Sequence, residues 1–194
     1  MFLEVLKKIY TFLFDTIQTV LLAASVFLVI YLFLFRPFEV SGESMFPTFK
    51  NGEFILTNLI SLRLNDLKRG DIIVFQAPVD HDKDYIKRVI GISGDSVEVR
   101  GGYIYVNGQR LDESSYLPDD VRTSQGAFLH EDQPIIVPKG EFIVMGDNRP
   151  HSSDSREWGF LKKSELIGKS FFVYWPPNHM RVVKSSAADG QAGK

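Results

Sequence analysis

The sequence contains no cysteine. Disulfide bonds, thiolate nucleophiles and cysteine-based metal sites are therefore all excluded. The four histidines, His81, His130, His151 and His179, lie far apart and form no HExxH pair. Nothing in the sequence therefore indicates a metal site.

An excess of positive charge is also missing. Lysine and arginine total 22 against 24 aspartate and glutamate residues, which gives a net charge of −2. Proteins that bind nucleic acid usually carry basic patches, so the charge balance does not indicate a nucleic acid partner. The length of 194 residues, with 44% apolar and 24% charged residues, fits one globular domain with a small appendage.

One segment near the N-terminus lacks charge altogether. Residues 16–35 read TIQTVLLAASVFLVIYLFLF, and about 20 helical residues span roughly 30 Å, the thickness of the hydrocarbon core of a bilayer. A cleaved signal peptide would have a shorter apolar region followed by a small-x-small site, whereas this run ends in FRPFEV. We therefore predict an uncleaved transmembrane anchor at 16–35.

The placement of basic residues predicts the orientation of this anchor. Lys7 and Lys8 precede it, and only Arg36 follows it closely. Positive residues favour the cytoplasmic side of a membrane. Residues 1–15 are therefore expected in the cytoplasm, and a domain at 36–184 is expected on the other side of the membrane.

Beyond the anchor the sequence is rich in short β-prone runs. Ile, Val, Phe and Tyr dominate these runs, and turn signals such as RGD, VNG and PKG separate them. Gly101–Gly102 and Asn107–Gly108 mark two hairpin turns. The predicted fold is mostly β, an antiparallel β-barrel or folded sheet behind a single N-terminal transmembrane helix. The predicted strand regions are 53–59, 71–78, 85–92, 96–111, 133–147 and 169–177.

The segments between these runs are of several kinds. Short helices are predicted near 61–68 and 162–168. Residues 112–132 are polar and lack periodicity, so an exposed excursion is expected there. The tail at 185–194 is small and polar and is predicted to be disordered.

Ser44 is the first of three places that could do chemistry. It lies in VSGESMFPTF, between Gly42, which bends freely, and Pro47, which fixes its own φ. Such a setting can hold a hydroxyl in one direction at the mouth of a groove. An ordinary loop leaving a membrane explains the same ten residues without chemistry.

Lys87 is the second place. It stands beside Arg88 in the apolar run DYIKRVIGI, and neighbours in a strand face opposite sides, so one of the two is expected in solvent and the other toward the core. A lysine on the core face would lose hydration, which lowers its pKa and leaves a neutral amine that can act as a general base. An edge-strand lysine that prevents aggregation is the alternative.

The third place is GDNRPHSSDSREWG, which follows the apolar strand EFIVM. Asp147, Arg149, Asp154 and Arg156 alternate in charge within it. This composition favours a loop held by charge-assisted hydrogen bonds, of the kind that orients functional groups. A large polar turn without function has the same composition.

Taken together, these segments resemble a known family. SGESMFPT, DYIKRVIGISGD and GDNRPHSSDSREWG, with GDIIVF between the first two, are similar to the sequence boxes of type I signal peptidases, in the family's order and behind an N-terminal anchor. The resemblance covers most of residues 38–160. It implies a serine endopeptidase with a Ser/Lys dyad, no metal or organic cofactor, and a mostly β catalytic domain on the outer side of the membrane.

The resemblance also implies partners and a location. The expected partners are the signal peptides of secreted preproteins and the lipid bilayer, with the protein translocation machinery as a further candidate. The expected location is the cytoplasmic (inner) cell membrane, which the chain would cross once with its N-terminus in the cytoplasm.

Roles for individual residues follow from the same resemblance. Ser44 matches the nucleophile, Lys87 the general base, and Ser152 the serine that orients the lysine. The backbone N–H of Ser44 would supply one oxyanion donor. Some family members add a hydroxyl two residues before the nucleophile, where this chain has Gly42, and Ser41 is one residue too early. The sequence therefore does not identify the second hydrogen-bond donor to the oxyanion.

The loop residues match structural positions of the family. Asp147 and Arg149 match its scaffold, and Asp154 and Arg156 match its structural ion pair. Substrate selection after small residues needs shallow apolar pockets. The positions that match the pocket lining, with core packing as the alternative for each, are Val40, Met45, Phe49, Tyr85 and Ile86. The aromatic residues expected to form a membrane-contacting rim are Phe35, Phe38, Phe46 and Trp158.

Three other interpretations compete with an active signal peptidase. A self-cleaving regulator of the related Ser/Lys fold would carry a DNA-binding domain or a cleavable arm in place of a membrane span. A catalytically inactive homologue would bind signal peptides without cutting them, but Ser44, Lys87 and Ser152 are all present. A membrane-anchored β-barrel with a structural role would leave the three boxes unexplained.

Overall fold

The computed structural model describes residues 2–60, 67–183 and 185. The chain divides after Arg36 into two compact units. The first unit is helical and the second is built mostly of strands.

The first unit is a single helix, α1, Phe2–Leu34. It begins well before the predicted anchor at 16–35, because apolar residues such as Leu3, Leu6 and Ile9 continue the helix toward the N-terminus. Its segment Phe2–Val29 contains an 18-residue window with a mean hydropathy of 2.0 and is long and apolar enough to cross a membrane. The helix ends one residue before Phe35, which begins the first strand.

Twelve strands and one short helix are described in the rest of the chain, with three single-turn 3₁₀ segments between them. The helix, α2, is Ser155–Trp158. The strands are β1 (Phe35–Glu39), β2 (Phe54–Asn58), β3 (Ile72–Ala77), β4 (Asp80–Gly91), β5 (Ser96–Arg100), β6 (Tyr103–Val106), β7 (Gln109–Arg110), β8 (Ile135–Ile136), β9 (Glu141–Met145), β10 (Leu161–Lys162), β11 (Leu166–Trp175) and β12 (Arg181–Val182).

The strands form two antiparallel sheets. The larger sheet has the order β1-β2-β11-β3-β4-β9-β10, with β12 added to β11, and the smaller has the order β7-β6-β5-β8. The predicted mostly β, antiparallel folded sheet behind an N-terminal apolar helix is confirmed. Within the described residues the sheet does not close into a barrel, because no pairing joins β1 to β10.

Three apolar clusters form the core. Val97, Val99, Ile104 and Val106 alternate along β5 and β6 and pack with Leu129 over the smaller sheet. The two sides of the larger sheet bury separate clusters, since alternate residues of a strand face opposite sides. One contains Val40, Met45, Phe49, Ile55, Ile72, Val74 and Val173, and the other contains Leu67, Ile73, Phe75, Val89, Phe142, Val144 and Leu161.

Both predicted hairpin turns are confirmed. Gly101–Gly102 joins β5 to β6, and Asn107–Gly108 joins β6 to β7. All four residues have positive φ, at 58°, 80°, 54° and 77°. Such turns favour Gly and Asn because a bulkier side chain would be strained in that conformation.

The predicted helix at 162–168 is wrong. Lys163–Glu165 forms only a 3₁₀ turn, and β11 begins at Leu166. Gly168 pairs with Val74 of β3 in the sheet, so long-range pairing overrides the local helical preference. The predicted helix at 61–68 falls mostly outside the described residues, and so does most of the tail at 185–194.

Residues 112–132 are irregular and mostly exposed, as predicted, but the segment is anchored at three points. Leu117, Thr123 and Leu129 are buried, and the Leu129 side chain belongs to the core of the smaller sheet. Their apolar and hydroxyl groups anchor an otherwise polar segment, which the absence of periodicity did not reveal.

Leu129→Ala should therefore destabilise the folded protein by about 2–5 kcal/mol, because it leaves a cavity in a closed core. Val79→Ala, at the exposed turn between β3 and β4, is the matched control and should stay within about 0.5 kcal/mol of wild type. Urea unfolding of the full-length protein in detergent measures both. Equal effects of the two substitutions would show that Leu129 does not anchor the segment in the core.

Candidate active site

A turn after β1 holds Ser44. The Phe46 N–H donates to Glu43 O at 3.0 Å, and the Phe49 N–H donates to Met45 O at 2.9 Å. The Met45 and Phe49 side chains are buried in the core beneath this turn. Ser44 therefore stands half-buried on a turn that the core fixes in place.

Gly42 sets the approach to that turn. Its φ is +92°, in the region that favours glycine, although no atom lies within 4 Å of where a Cβ would stand. Its N–H donates to the Asn51 side chain at 2.8 Å. The constraint on a side chain at this position is therefore conformational rather than steric.

Lys87 reaches Ser44 from β4. Its Nζ donates to Ser44 Oγ at 2.7 Å, and only 3% of the residue is exposed. Burial lowers the pKa of Lys87 to about 8, against the opposing effect of the Asp154 and Asp147 charges. About a tenth of the amine is thus neutral at pH 7 and can accept the Ser44 proton.

Arg88 is buried as well, so the expectation that one of the two basic neighbours faces solvent is wrong. Its Nε and Nη2 donate to the two carboxylate oxygens of Asp147 at 2.8 and 2.7 Å, and its Nη1 donates to Gly70 O at 3.0 Å. Burying a guanidinium is feasible only with such full compensation. Sequence reasoning missed Arg88, although a basic residue between two apolar runs was a signal for a paired charge.

The loop after β9 is held by its own charges. Asp154 and Arg156 form a buried ion pair at 2.8 Å, and Asp154 also accepts the Gly146 N–H at 3.0 Å and caps α2. Arg149 is buried and pairs with Glu113 from the 112–132 segment. Asn148 donates its N–H to Ser44 O at 3.0 Å. This loop therefore lies directly against the turn that carries Ser44.

Ser152 is placed close to this junction, but the structure does not join it to Lys87. Among the described residues its buried Oγ has no hydrogen-bond partner. A Cβ on Gly146 would lie 2.2 Å from Ser152 Oγ and 2.4 Å from Ser44 O. The absence of a side chain at Gly146 is what lets the Ser152 hydroxyl approach the Ser44 backbone.

A cleft of about 310 Å³ opens above Ser44 and Lys87. Of the predicted pocket residues, Val40, Tyr85 and Ile86 line it, whereas Met45 and Phe49 lie beneath it in the core. The Ser44 N–H has no acceptor within the described part of the chain. The full lining is Phe38, Glu39, Val40, Ser41, Gly42, Glu43, Ser44, Ile55, Val74, Asp84, Tyr85, Ile86, Lys87, His151 and Ser153.

The aromatic residues expected at a membrane rim differ in exposure. Phe46 is 49% exposed, which fits a surface role. Trp158 instead packs on Phe75, with ring centroids 6.0 Å apart, against one of the core clusters. Trp158 is only partly buried, so its contact with a membrane stays a prediction. Over the described residues, no group of three His, Asp or Glu side chains is placed to hold a metal ion.

Comparison with known proteins identifies the family. Residues 13–175 match the family described as "Signal peptidase, peptidase S26". The chain belongs to this family. Signal peptidase IB of Staphylococcus aureus strain N315 is 35% identical over 175 residues, covering 84% of this chain and 90% of that protein. Signal peptidase I S of Bacillus subtilis strain 168 is 37% identical over 168 residues, with the same two coverages of 84% and 90%.

A solved structure is also similar to the chain. The crystal structure of a signal peptidase I from Enterococcus faecalis V583 has 32% sequence identity and a TM-score of 0.45, covering 54% of this chain and 97% of that chain. The predicted resemblance to type I signal peptidases is confirmed at the level of the family, and the chain is a peptidase-family member with an N-terminal apolar helix.

In this signal peptidase family member, Asp147→Asn should destabilise the fold by about 3–5 kcal/mol, because it leaves the Arg88 guanidinium buried without a counter-charge. Asp80→Asn is the control, since it breaks the solvent-exposed pair with Lys83 and should leave unfolding unchanged. Thermal unfolding of both variants in detergent makes the measurement. A wild-type melting temperature for Asp147→Asn would contradict the inferred dependence of Arg88 on this carboxylate.

Proposed function

We propose that the chain is a type I signal peptidase, a membrane-anchored serine endopeptidase that removes N-terminal signal peptides from exported preproteins. The contact between Lys87 Nζ and Ser44 Oγ, 2.7 Å long and at the floor of a cleft, carries the proposal. A nucleophile within hydrogen-bond reach of a desolvated base is the arrangement that acyl transfer requires. The family match supports the same activity.

The mechanism follows from this contact. Neutral Lys87 takes the proton of Ser44 Oγ, which attacks the scissile carbonyl carbon and forms a tetrahedral intermediate. The Ser44 N–H donates to the oxyanion. Lys87 then gives its proton to the leaving amine. The Lys87 amine, neutral again, activates a water molecule that hydrolyses the acyl-enzyme.

An unpaired strand edge supports binding of an extended substrate. β4 pairs with β3 through Tyr85, Ile86 and Lys87, but its pairing with β9 begins only at Arg88. Among the described strands none pairs with the opposite edge of residues 85–87 beside the cleft, so a preprotein segment can add to it as a strand. The apolar cleft walls at Val40 and Ile86 leave room for small side chains, in keeping with cleavage after small residues.

The N-terminal helix supports attachment to the cell membrane. The span Phe2–Val29 is long enough for a bilayer. We place the N-terminus in the cytoplasm, on the basis of Lys7 and Lys8, and the domain from residue 36 outside it. Exported preproteins, whose signal peptides enter the same bilayer, would meet the cleft on that side.

Ser44→Ala and Lys87→Ala should each lower cleavage of a purified preprotein by about 10⁴-fold or more, because neither half of the pair works alone. Lys83→Ala, an exposed lysine on the same strand, is the control and should cleave at the wild-type rate. Full-length enzyme in detergent, with product mapped by mass spectrometry, makes the measurement. A wild-type protein that binds signal peptides but cuts none would favour the inactive homologue.

The pH dependence of cleavage should report the pKa of Lys87. Because the neutral amine is the active form, kcat/KM should rise about tenfold per pH unit below pH 8 and level off above it. The midpoint is set by burial, which lowers the pKa of Lys87 from 10.5 to about 8. Melting temperatures across the same pH range serve as the control for unfolding. A midpoint near 10.5 would contradict a desolvated base.

A further inference from the structure

The 112–132 segment contributes a buried polar cluster that the proposed mechanism does not use. Glu113 accepts hydrogen bonds from the Arg149 guanidinium and from the Tyr116 hydroxyl, the latter at 2.7 Å. Thr123 accepts from Arg149 Nη1 at 2.5 Å. The Tyr116 ring lies over the Arg88 guanidinium, with Arg88 Cζ 3.9 Å from the ring centroid. Glu113 and Tyr116 thus contact both buried arginines near the site.

Charge complementarity within this cluster is strong. Burial disfavours the charged form of Arg149, but the charge and hydrogen bond of Glu113, together with Tyr116 and Asp147, outweigh it and raise the pKa of Arg149. Burial raises the pKa of the Tyr116 hydroxyl well above 10.0, so the group stays protonated and donates to Glu113. Glu113 is therefore the main counter-charge of the buried Arg149.

Arg149 in turn holds the backbone that contacts Ser44. Its Nε donates to Gly146 O at 3.0 Å. Two residues along, Asn148 donates its N–H to Ser44 O and its side-chain amide to Glu43 O, each at 3.0 Å. A shift of residues 146–148 would therefore move the carbonyl of the nucleophile itself.

Arg88 forms a second connection between the 112–132 segment and the turn that carries Ser44. It is the neighbour of Lys87 in β4 and binds both carboxylate oxygens of Asp147. Asp147 also accepts a hydrogen bond from Thr48, which belongs to the same turn as Ser44. Tyr116 covers the face of this guanidinium. Neither Glu113 nor Tyr116 lines the cleft, so any effect on the reaction has to pass through the arginines.

We propose that Glu113 and Tyr116 are positioning residues, which hold the 146–148 backbone and Arg88 so that Ser44 Oγ stays within hydrogen-bond reach of Lys87 Nζ. The inference rests on the proposed signal peptidase activity. It assigns Glu113 and Tyr116, within a largely exposed stretch, to the scaffold of the active site.

The test compares Glu113→Gln with Asp95→Asn in the full-length protein in detergent. Both substitutions remove the carboxylate partner of an arginine, since Asp95 pairs with Arg69 at 2.6 Å beside the smaller sheet. Asp95 does not line the cleft. Glu113→Gln should lower kcat for preprotein cleavage about 10- to 100-fold with KM nearly unchanged, because a small misplacement of the pair acts on the chemical step. Asp95→Asn should keep the wild-type kcat.

Hydrogen exchange supplies a readout that does not depend on activity. In Glu113→Gln the Asn148 amide, whose acceptor is Ser44 O, should exchange about tenfold faster than in wild type, as expected for local opening. In Asp95→Asn it should exchange at the wild-type rate. If wild type cleaves no preprotein, the proposed function fails, and the exchange rates still decide the inference.

Two further variants keep the test decisive if Glu113→Gln does not fold. Glu113→Asp retains the charge and should recover most of kcat. Tyr116→Leu removes the ring over Arg88 and should lower kcat by about threefold or more, again with little change in KM. The inference is overturned if Glu113→Gln, or Tyr116→Leu in its place, keeps the wild-type kcat and the wild-type exchange rate at Asn148.

Discussion

The burial of one amine beside one hydroxyl is the constraint on which the rest of the molecule depends. Lys87 stands 2.7 Å from Ser44 Oγ and is almost wholly enclosed. Burial costs the charged form free energy, and this cost lowers its pKa. A surface lysine with the same reach would stay protonated and could not act as a base. The sheet therefore has to enclose Lys87 and still leave Ser44 open to a cleft.

Charges around the pair are compensated nearly in full. Arg88 is neutralised by Asp147, Arg156 by Asp154 and Arg149 by Glu113. Buried ion pairs of this kind contribute little net stability compared with apolar packing, but their hydrogen bonds require one geometry. The ion pairs therefore fix the backbone around Ser44 rather than add much to the stability of the fold.

Substrate binding under the proposed activity would use an edge of β4. At residues 85–87 one edge of β4 is bonded to β3, and none of the described strands pairs with the other edge, which lies next to Lys87. A backbone-directed binding mode accepts many different sequences, because main-chain groups are common to all of them. In the proposed signal peptidase, selectivity would then come from the apolar cleft walls at Val40 and Ile86.

Local sequence patterns were enough to predict the apolar helix, the β-rich domain, the hairpin turns and the three boxes, since each depends on neighbours in the chain. The partners of Arg88, Glu113 and Leu129 could not be predicted, because they lie far away in sequence: Asp147, Arg149 and the core of the smaller sheet. Sequence alone determined which side chains could react. Only the tertiary structure decided which of them meet, since distance, burial and charge compensation arise when the sheets pack.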